Sequence, residues 1–213
     1  MRLLDLFCGR FGWSKAFAAR GWECVGIDLT EPPEIPNGCT FLQVDVLTIT
    51  ADWIREQNFD FICASSPCEQ FSVHGMKHFH PNPPYPEIGL KLFNHTRQIC
   101  EESGVPYVME NVRAAQKFVG YAVHHCGPFC LWGSAVPPLM PQGIIKGLKI
   151  GSGSQIRNLS REEVRSWRKQ FDALQCSEKG NKRKSMTSKW ATIPPELSSC
   201  VADYAERILG VTR

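Results

Sequence analysis

The first 28 residues place the strongest constraint on how this chain folds. Residues 2–7, Arg-Leu-Leu-Asp-Leu-Phe, form a short, mostly apolar run that predicts a first strand. Gly9 and Gly12 follow. Next comes an apolar-periodic stretch from Trp13 to Ala19, closed by Gly21 as a C-terminal helix stop. Trp22 to Leu29 predicts the second strand, ending in Gly26-Ile27-Asp28, and Asp28 lies 19 residues after Gly9. Glycines between a strand and a helix let the backbone come close to a ligand. A carboxylate about 20 residues further on can accept from ribose hydroxyls. Gly-x-x-Gly lacks one glycine of the full nucleotide fingerprint, so a tight turn with a solvated Asp28 competes with that reading here.

The rest of the chain continues the alternation of strand and helix. Glu31 to Gly38 carries three prolines and reads as a loop. Phe41 to Val46 predicts a third strand with Asp45 near its end, and Ala51 to Gln57 a short helix. Gly89 to Ser103 has helical apolar spacing at Leu90, Leu92, Phe93, Ile99 and Cys100. Pro106 to Val112 predicts another strand, ending in Glu110-Asn111-Val112. A carboxylate at a buried strand end needs a partner or a chemical role. His124 to Gly133 reads as a turn into a further strand, and Leu197 to Leu209 as a final helix opened by Pro194-Pro195. The expected class is α/β, a doubly wound Rossmann-like sheet.

One stretch stands apart chemically. Asp60 to Ser72 begins as the apolar run Phe61-Ile62-Cys63-Ala64, breaks at Ser65-Ser66-Pro67, and presents Cys68 directly after the proline. Proline fixes its own φ and restricts its predecessor, so Cys68 sits on a stiff turn just past a strand's carboxyl end. That end is where open α/β sheets bind ligands. A nucleophilic thiol and a half-buried structural cysteine both fit the position. Residues 73–88, with three histidines and four prolines, read as a long irregular loop over this site. His74, His78 and His80, or His125, Cys126 and Cys130, have some ligand spacing. No carboxylate-rich set completes the first group and a Gly-Pro turn splits the second, so no metal site is assigned.

A chain of 213 residues with 43% hydrophobic content suits one globular domain with a small insert. No apolar run is long enough for a signal peptide or a membrane span. With no secretory signal, ten cysteines point to reduced thiols in a cytoplasm. Net charge is only +3, so any footprint for a nucleic acid must be local. The composition shifts between Pro137 and Lys189 toward Gly, Ser, Pro and basic residues. Ser160 to Glu163 is a capping box predicting a helix to about Ala173, and the basic run Lys179 to Lys184 follows. The boundaries are then a catalytic, cofactor-binding domain at 1–136, a basic insert at 137–189, and a C-terminal helical segment at 190–213 that completes the first.

Together these motifs resemble the C5 DNA cytosine methyltransferase family. Asp5-Leu6-Phe7-Cys8-Gly9-x-x-Gly12 is similar to its cofactor loop, and Pro67-Cys68-x-x-Phe71-Ser72 to its nucleophile motif. Glu110-Asn111-Val112 reproduces its Glu-Asn-Val motif. The resemblance covers roughly residues 2–135, and the final helix is similar to the family's last motif. It implies S-adenosylmethionine as methyl donor, held by Asp5, Phe7, Gly9, Gly12, Asp28, Leu29, Asp45, Val46 and Pro67. It implies Cys68 as nucleophile toward C6 of cytosine, Glu110 as proton donor at N3, and Asn111 as the group orienting the loop. The implied substrate is a cytosine flipped out of double-stranded DNA, with Ser72, Lys182, Arg183 and Lys184 on the substrate side. A bacterial or phage-infected host cytosol is the expected setting. A tRNA cytosine methyltransferase and a catalytically silent relative that binds DNA or a partner are the alternatives.

The chain also departs from the family pattern. Arg10 replaces a small residue. Phe11 stands where a second glycine is usual, and is expected to crowd the cofactor's amino-acid end. Glu69 takes the place of the usual Gln. The Gln-x-Arg-x-Arg motif is not recognisable near His124 to Phe129, which leaves the contact to the base's C2 carbonyl unassigned. The insert of roughly 50 residues offers little surface for reading a long site, so a short or degenerate sequence preference is expected. The basic run yields a test. Changing Lys182, Arg183 and Lys184 together to alanine should weaken duplex binding about equally for all sequences. The slope of log affinity against log salt should become shallower by up to about 0.9 per lost phosphate contact. An unchanged slope in a salt titration would leave the run a solvated loop.

Overall fold

A computed structural model describes residues 1–72, 85–140 and 192–211. The run Lys179 to Lys184, the three histidines of the 73–84 segment and the capping box at 160–163 lie outside the described residues. The strands are β1 (Arg2–Leu6), β2 (Glu23–Asp28), β3 (Cys39–Gln43), β4 (Phe61–Ser65), β5 (Tyr107–Val112), β6 (His124–Cys126) and β7 (Phe129–Trp132). The helices are α1 (Ser14–Ala18), α2 (Ala51–Glu56), α3 (Glu87–Ser103), α4 (Gln116–Val119) and α5 (Pro195–Ile208). All seven strands form one sheet in the order β3-β2-β1-β4-β5-β7-β6. The first five are parallel, and β7 runs antiparallel to both of its neighbours. The order reverses between β1 and β4, the position at which open sheets of this kind bind ligands.

Sequence alternation explains the two core layers. Successive strand residues face opposite sides of a sheet. Leu4, Leu6, Ile62, Ala64 and Met109 pack with Ile54 of α2 and Phe93 and Ile99 of α3. Leu3, Phe61, Cys63 and Val108 pack with Phe17 of α1 and Leu197, Val201 and Ala205 of α5. With both faces covered, β1, β4 and β5 read as almost continuous apolar runs, as parallel strands do. Fully buried Leu197 and Val201 are each worth about 1.5–3 kcal/mol of burial. Ser198 Oγ donates to the Trp13 carbonyl at 2.7 Å and Trp22 Nε1 donates to Glu206 at 3.2 Å, fixing α5 against the first βα unit. Among the described residues, no helix is long and apolar enough to cross a membrane.

Three expectations need correction. The third strand is Cys39–Gln43 rather than 41–46; Asp45 lies beyond it and caps a 3-10 turn by accepting from Leu47 N at 2.9 Å. The third helix begins at Glu87, so residues 87–88 belong to it rather than to the preceding loop. The segment at 124–133 is a two-stranded hairpin rather than a turn into one strand. In that hairpin Cys126 packs in one core layer and Cys130 in the other, so the two thiols face opposite sides of the sheet.

Phe11 also sits elsewhere than expected. It adopts φ 57°, the left-handed region a glycine would favour, and its side chain is fully buried. A Cβ added at Gly26 would lie 2.3 Å from Phe11 Cε1 and 2.8 Å from Cys8 Sγ. The missing Cβ on β2 is therefore what admits the ring, which is buried in the protein interior. Gly26→Ala should destabilise the protein by about 1–3 kcal/mol through overpacking. The cost should fall in a Phe11→Ala background, a coupling that urea unfolding of the double-mutant cycle reads directly.

Candidate active site

The parallel strands deliver their carboxyl ends to one edge. Leu6, Asp28, Ser65 and Val112 end β1, β2, β4 and β5 there. After β1 the chain turns through Phe7 at φ 59°, Gly9 at φ 51° and Phe11 at φ 57°. Left-handed non-glycine residues cost of order 1–3 kcal/mol each and cluster at functional sites. Asp28 holds this loop in place: one carboxylate oxygen accepts from Gly9 N at 3.0 Å, the other from Thr30 N at 3.2 Å. Gly12 is required for a different reason. A Cβ there would meet Ile193 N at 2.8 Å, so only glycine lets the segment before α5 close over the loop.

A cleft of about 150 Å³ results, lined by Phe7, Gly9, Arg10, Trp13, Ser65 and Thr192 among others. Trp13 Nε1 donates to Ser65 Oγ at 2.9 Å across it. Phe7, Gly9 and Gly12 line this cleft and Asp28 ties its loop. Leu29, next to Asp28 just past the end of β2, is 62% exposed and does not line the cleft. Asp45 and Val46 follow β3; the Val46 carbonyl is held by His95 Nε2 at 3.0 Å. The arrangement has the features of a nucleoside site: a carboxylate that can accept from ribose hydroxyls, and a backbone turn whose glycines allow close approach.

Asp5 lies under the loop and does not line the cleft. It is 1% exposed, and its Oδ2 accepts from Ser14 Oγ at 2.6 Å and Ser14 N at 3.3 Å. Burial pushes its carboxyl up to about 7, against the pull of the Ser14 bonds and with a further push from Asp28.

The turn carrying Cys68 is fixed at both ends. Asn111 is fully buried, and its Nδ2 donates to the Ser66 carbonyl and to Ser66 Oγ, each at 3.0 Å. Its Oδ1 accepts from Val112 N at 2.8 Å. Further on, the Cys68 carbonyl accepts from Phe71 N at 3.1 Å and Ser72 N at 3.0 Å. Phe71 is fully buried against Gly89 of α3, and Gln70 Oε1 accepts from Gly89 N at 2.7 Å. Pro67 is exposed and Cys68 half-buried. Glu110 is 3% exposed and pairs in register with Ser65, so the acid and the start of the cysteine turn occupy neighbouring strand ends. Burial pushes the thiols of Cys8, Cys63 and Cys100 well above the ordinary cysteine range. Sequence reasoning missed Ser65, Ser66, Trp13, Gln70 and Ile193. The break at Ser65-Ser66 was visible, but the partners that use it are distant in sequence.

A family model described as C-5 cytosine-specific DNA methylase matches residues 1–121. Among solved structures, a mutant of DNMT2 from Spodoptera frugiperda is 21% identical with a TM-score of 0.36, over 55% of this chain and 37% of that one. The S. pombe Dnmt2 methyltransferase is 17% identical with a TM-score of 0.39, over 55% of this chain and 36% of that one. The Entamoeba histolytica methyltransferase EhMeth is 15% identical with a TM-score of 0.38, over 55% and 39%. This chain thus spans less than two fifths of the length of each. No curated protein matches it.

The Asp5 environment carries a pH signature. A buried carboxyl at about 7 holds a proton that the unfolded chain, near 3.8, has already released. Stability should therefore fall as pH rises from about 4 to about 7, by up to about 4 kcal/mol at 1.36 kcal/mol per unit. Asp5→Asn should flatten that decline in urea unfolding measured across the window. An identical slope in both proteins would place its cause elsewhere.

Proposed function

This chain belongs to the C-5 cytosine-specific DNA methylase family, and from that premise we propose that it transfers a methyl group from S-adenosylmethionine to C5 of a cytosine in DNA. The observation that carries this reading is the clamp of buried Asn111 on Ser66, which sets the Cys68 turn beside the strand end bearing Glu110. S-adenosylmethionine, when bound, supplies an electrophilic methyl on sulfonium. The glycine turn with Phe7, Gly9 and Gly12 would hold its methionine end, and Asp28 its ribose.

C5 of cytosine is a weak nucleophile, and the chain's own residues must raise its reactivity. A Cys68 thiolate adding to C6 leaves C5 as an enamine carbon. A proton delivered by Glu110 to N3 takes up the charge that this addition develops. Asn111 acts on neither atom; it keeps Ser66, and with it the approach of Cys68, in one position. Once C5 carries the methyl, loss of its proton to solvent expels the Cys68 thiolate, N3 returns its proton to Glu110, and the aromatic ring is restored. The base must leave the duplex to reach a half-buried thiol on this edge.

A cytosine with fluorine at C5 tests the chemistry, because the final step then has no proton to remove. Duplex DNA containing 5-fluorocytosine, incubated with the protein and S-adenosylmethionine, should yield a denaturation-resistant protein–DNA adduct by mass spectrometry. Cys68→Ala should give none while keeping the wild-type melting temperature. An adduct surviving in Cys68→Ala would remove Cys68 from the mechanism. An adduct formed with tRNA and not with DNA would move the substrate to RNA.

A further inference from the structure

A second cavity, of about 260 Å³, opens beside the end of β5 and is lined by Arg113, Gln116, His124, His125 and Cys130 among others. None of its described lining residues is acidic. Arg113 follows Val112 directly, and Cys130 is the registered partner of Asn111, which holds the Cys68 turn. His125 pairs with Cys130 on β6, two strand spacings or about 10 Å from Asn111. The cavity therefore flanks the nucleophile turn along the sheet edge.

Its walls are fastened in advance. Gln116 Nε2 donates to the Arg113 carbonyl at 3.3 Å, and Gln116 Oε1 accepts from Ala122 N at 3.0 Å. Arg97 donates to the Val119 carbonyl at 2.9 Å and Trp132 Nε1 to the Gly120 carbonyl at 3.0 Å. His124 Nδ1 accepts from His125 N at 2.9 Å, which leaves Nε2 as the ring's hydrogen-bond donor. Tyr121, on the same fastened loop, is 91% exposed. A cationic recess next to an exposed aromatic ring is the pairing that proteins use for polynucleotide strands: charge for the backbone, ring faces for bases.

We infer that this cavity binds a backbone phosphate of the DNA strand that carries the target base, with Arg113 as its charge and His124 as a hydrogen-bond donor. The inference rests on the polynucleotide reading above. A strand whose base enters beside Cys68 continues across neighbouring strand ends, and β7 and β6 are the next on that side. Phosphate contacts of this sort fix position and register without reading sequence.

The test is fluorescence anisotropy of a labelled cytosine-containing duplex, titrated from about 50 to about 200 mM KCl. Arg113→Gln should weaken binding and make the slope of log affinity against log salt shallower by about 0.9. Lys15→Gln, an exposed cation outside the cavity, should keep the wild-type slope. His124→Ala, which removes a hydrogen-bond donor, should weaken binding several-fold with a smaller change in slope than Arg113→Gln. Wild-type affinity and slope in Arg113→Gln, or an equal change in Lys15→Gln, would overturn the assignment. If the wild type itself shows no salt-dependent binding, the DNA reading fails with it, a result distinct from failure of the cavity alone.

Discussion

The Asn111 amide is buried completely, and every hydrogen-bonding group it has is used. Both N–H groups go to Ser66 and the carbonyl oxygen to Val112 N. An amide in that position left unpaired would cost about 1–3 kcal/mol, so the three contacts form together or the segment does not adopt this shape. They join the ends of β4 and β5 beyond the last ladder bond. The placement of Cys68, the orientation of the Phe71 anchor and the seat of Gly89 of α3 against that ring are all tied to where Ser66 is held. An apolar isostere at residue 111 could fill the same volume but could not specify the turn.

The glycine loop solves a related problem by exchange. Where a flexible residue would let the backbone enter the left-handed region freely, Phe11 occupies it with a large side chain. The strain is tolerable because Gly26 vacates the matching space on the neighbouring strand. The loop gains a buried aromatic anchor. Trp13 then reaches across to Ser65 and, through its carbonyl, to Ser198. Three distant segments meet at one residue, Ser65 on its indole and Ser198 on its carbonyl.

Much of this was legible in the residues. Buried parallel strands are nearly continuous apolar runs, so β1, β2, β4 and β5 announce themselves, and the motifs at their ends carry the chemistry. The edge strand β3 does not, because its positions are exposed or partly exposed, and the apolar signal in the sequence runs past it to Val46. The hairpin was blurred by His124 and His125, polar residues on an edge strand with no core to face on one side. Phe11 was misplaced because its compensation lies fifteen residues away on another strand. Asn111 was assigned its role by resemblance alone; that its partner is Ser66 required the strands to be set side by side.

The contact between Gly12 and Ile193 has a further consequence, in the order of assembly. A protein made from its N-terminus exposes the glycine loop early and α5 late, separated by about 180 residues. The sheet from β1 to β5 can collapse once β5 is made, but the wall over the loop cannot close until Ile193 and Ser198 arrive. Closing so long a connection costs entropy that is recovered only when Leu197 and Val201 dock. The wall over the cleft thus waits on α5, and a chain interrupted after β7 would carry the motifs of the site without it.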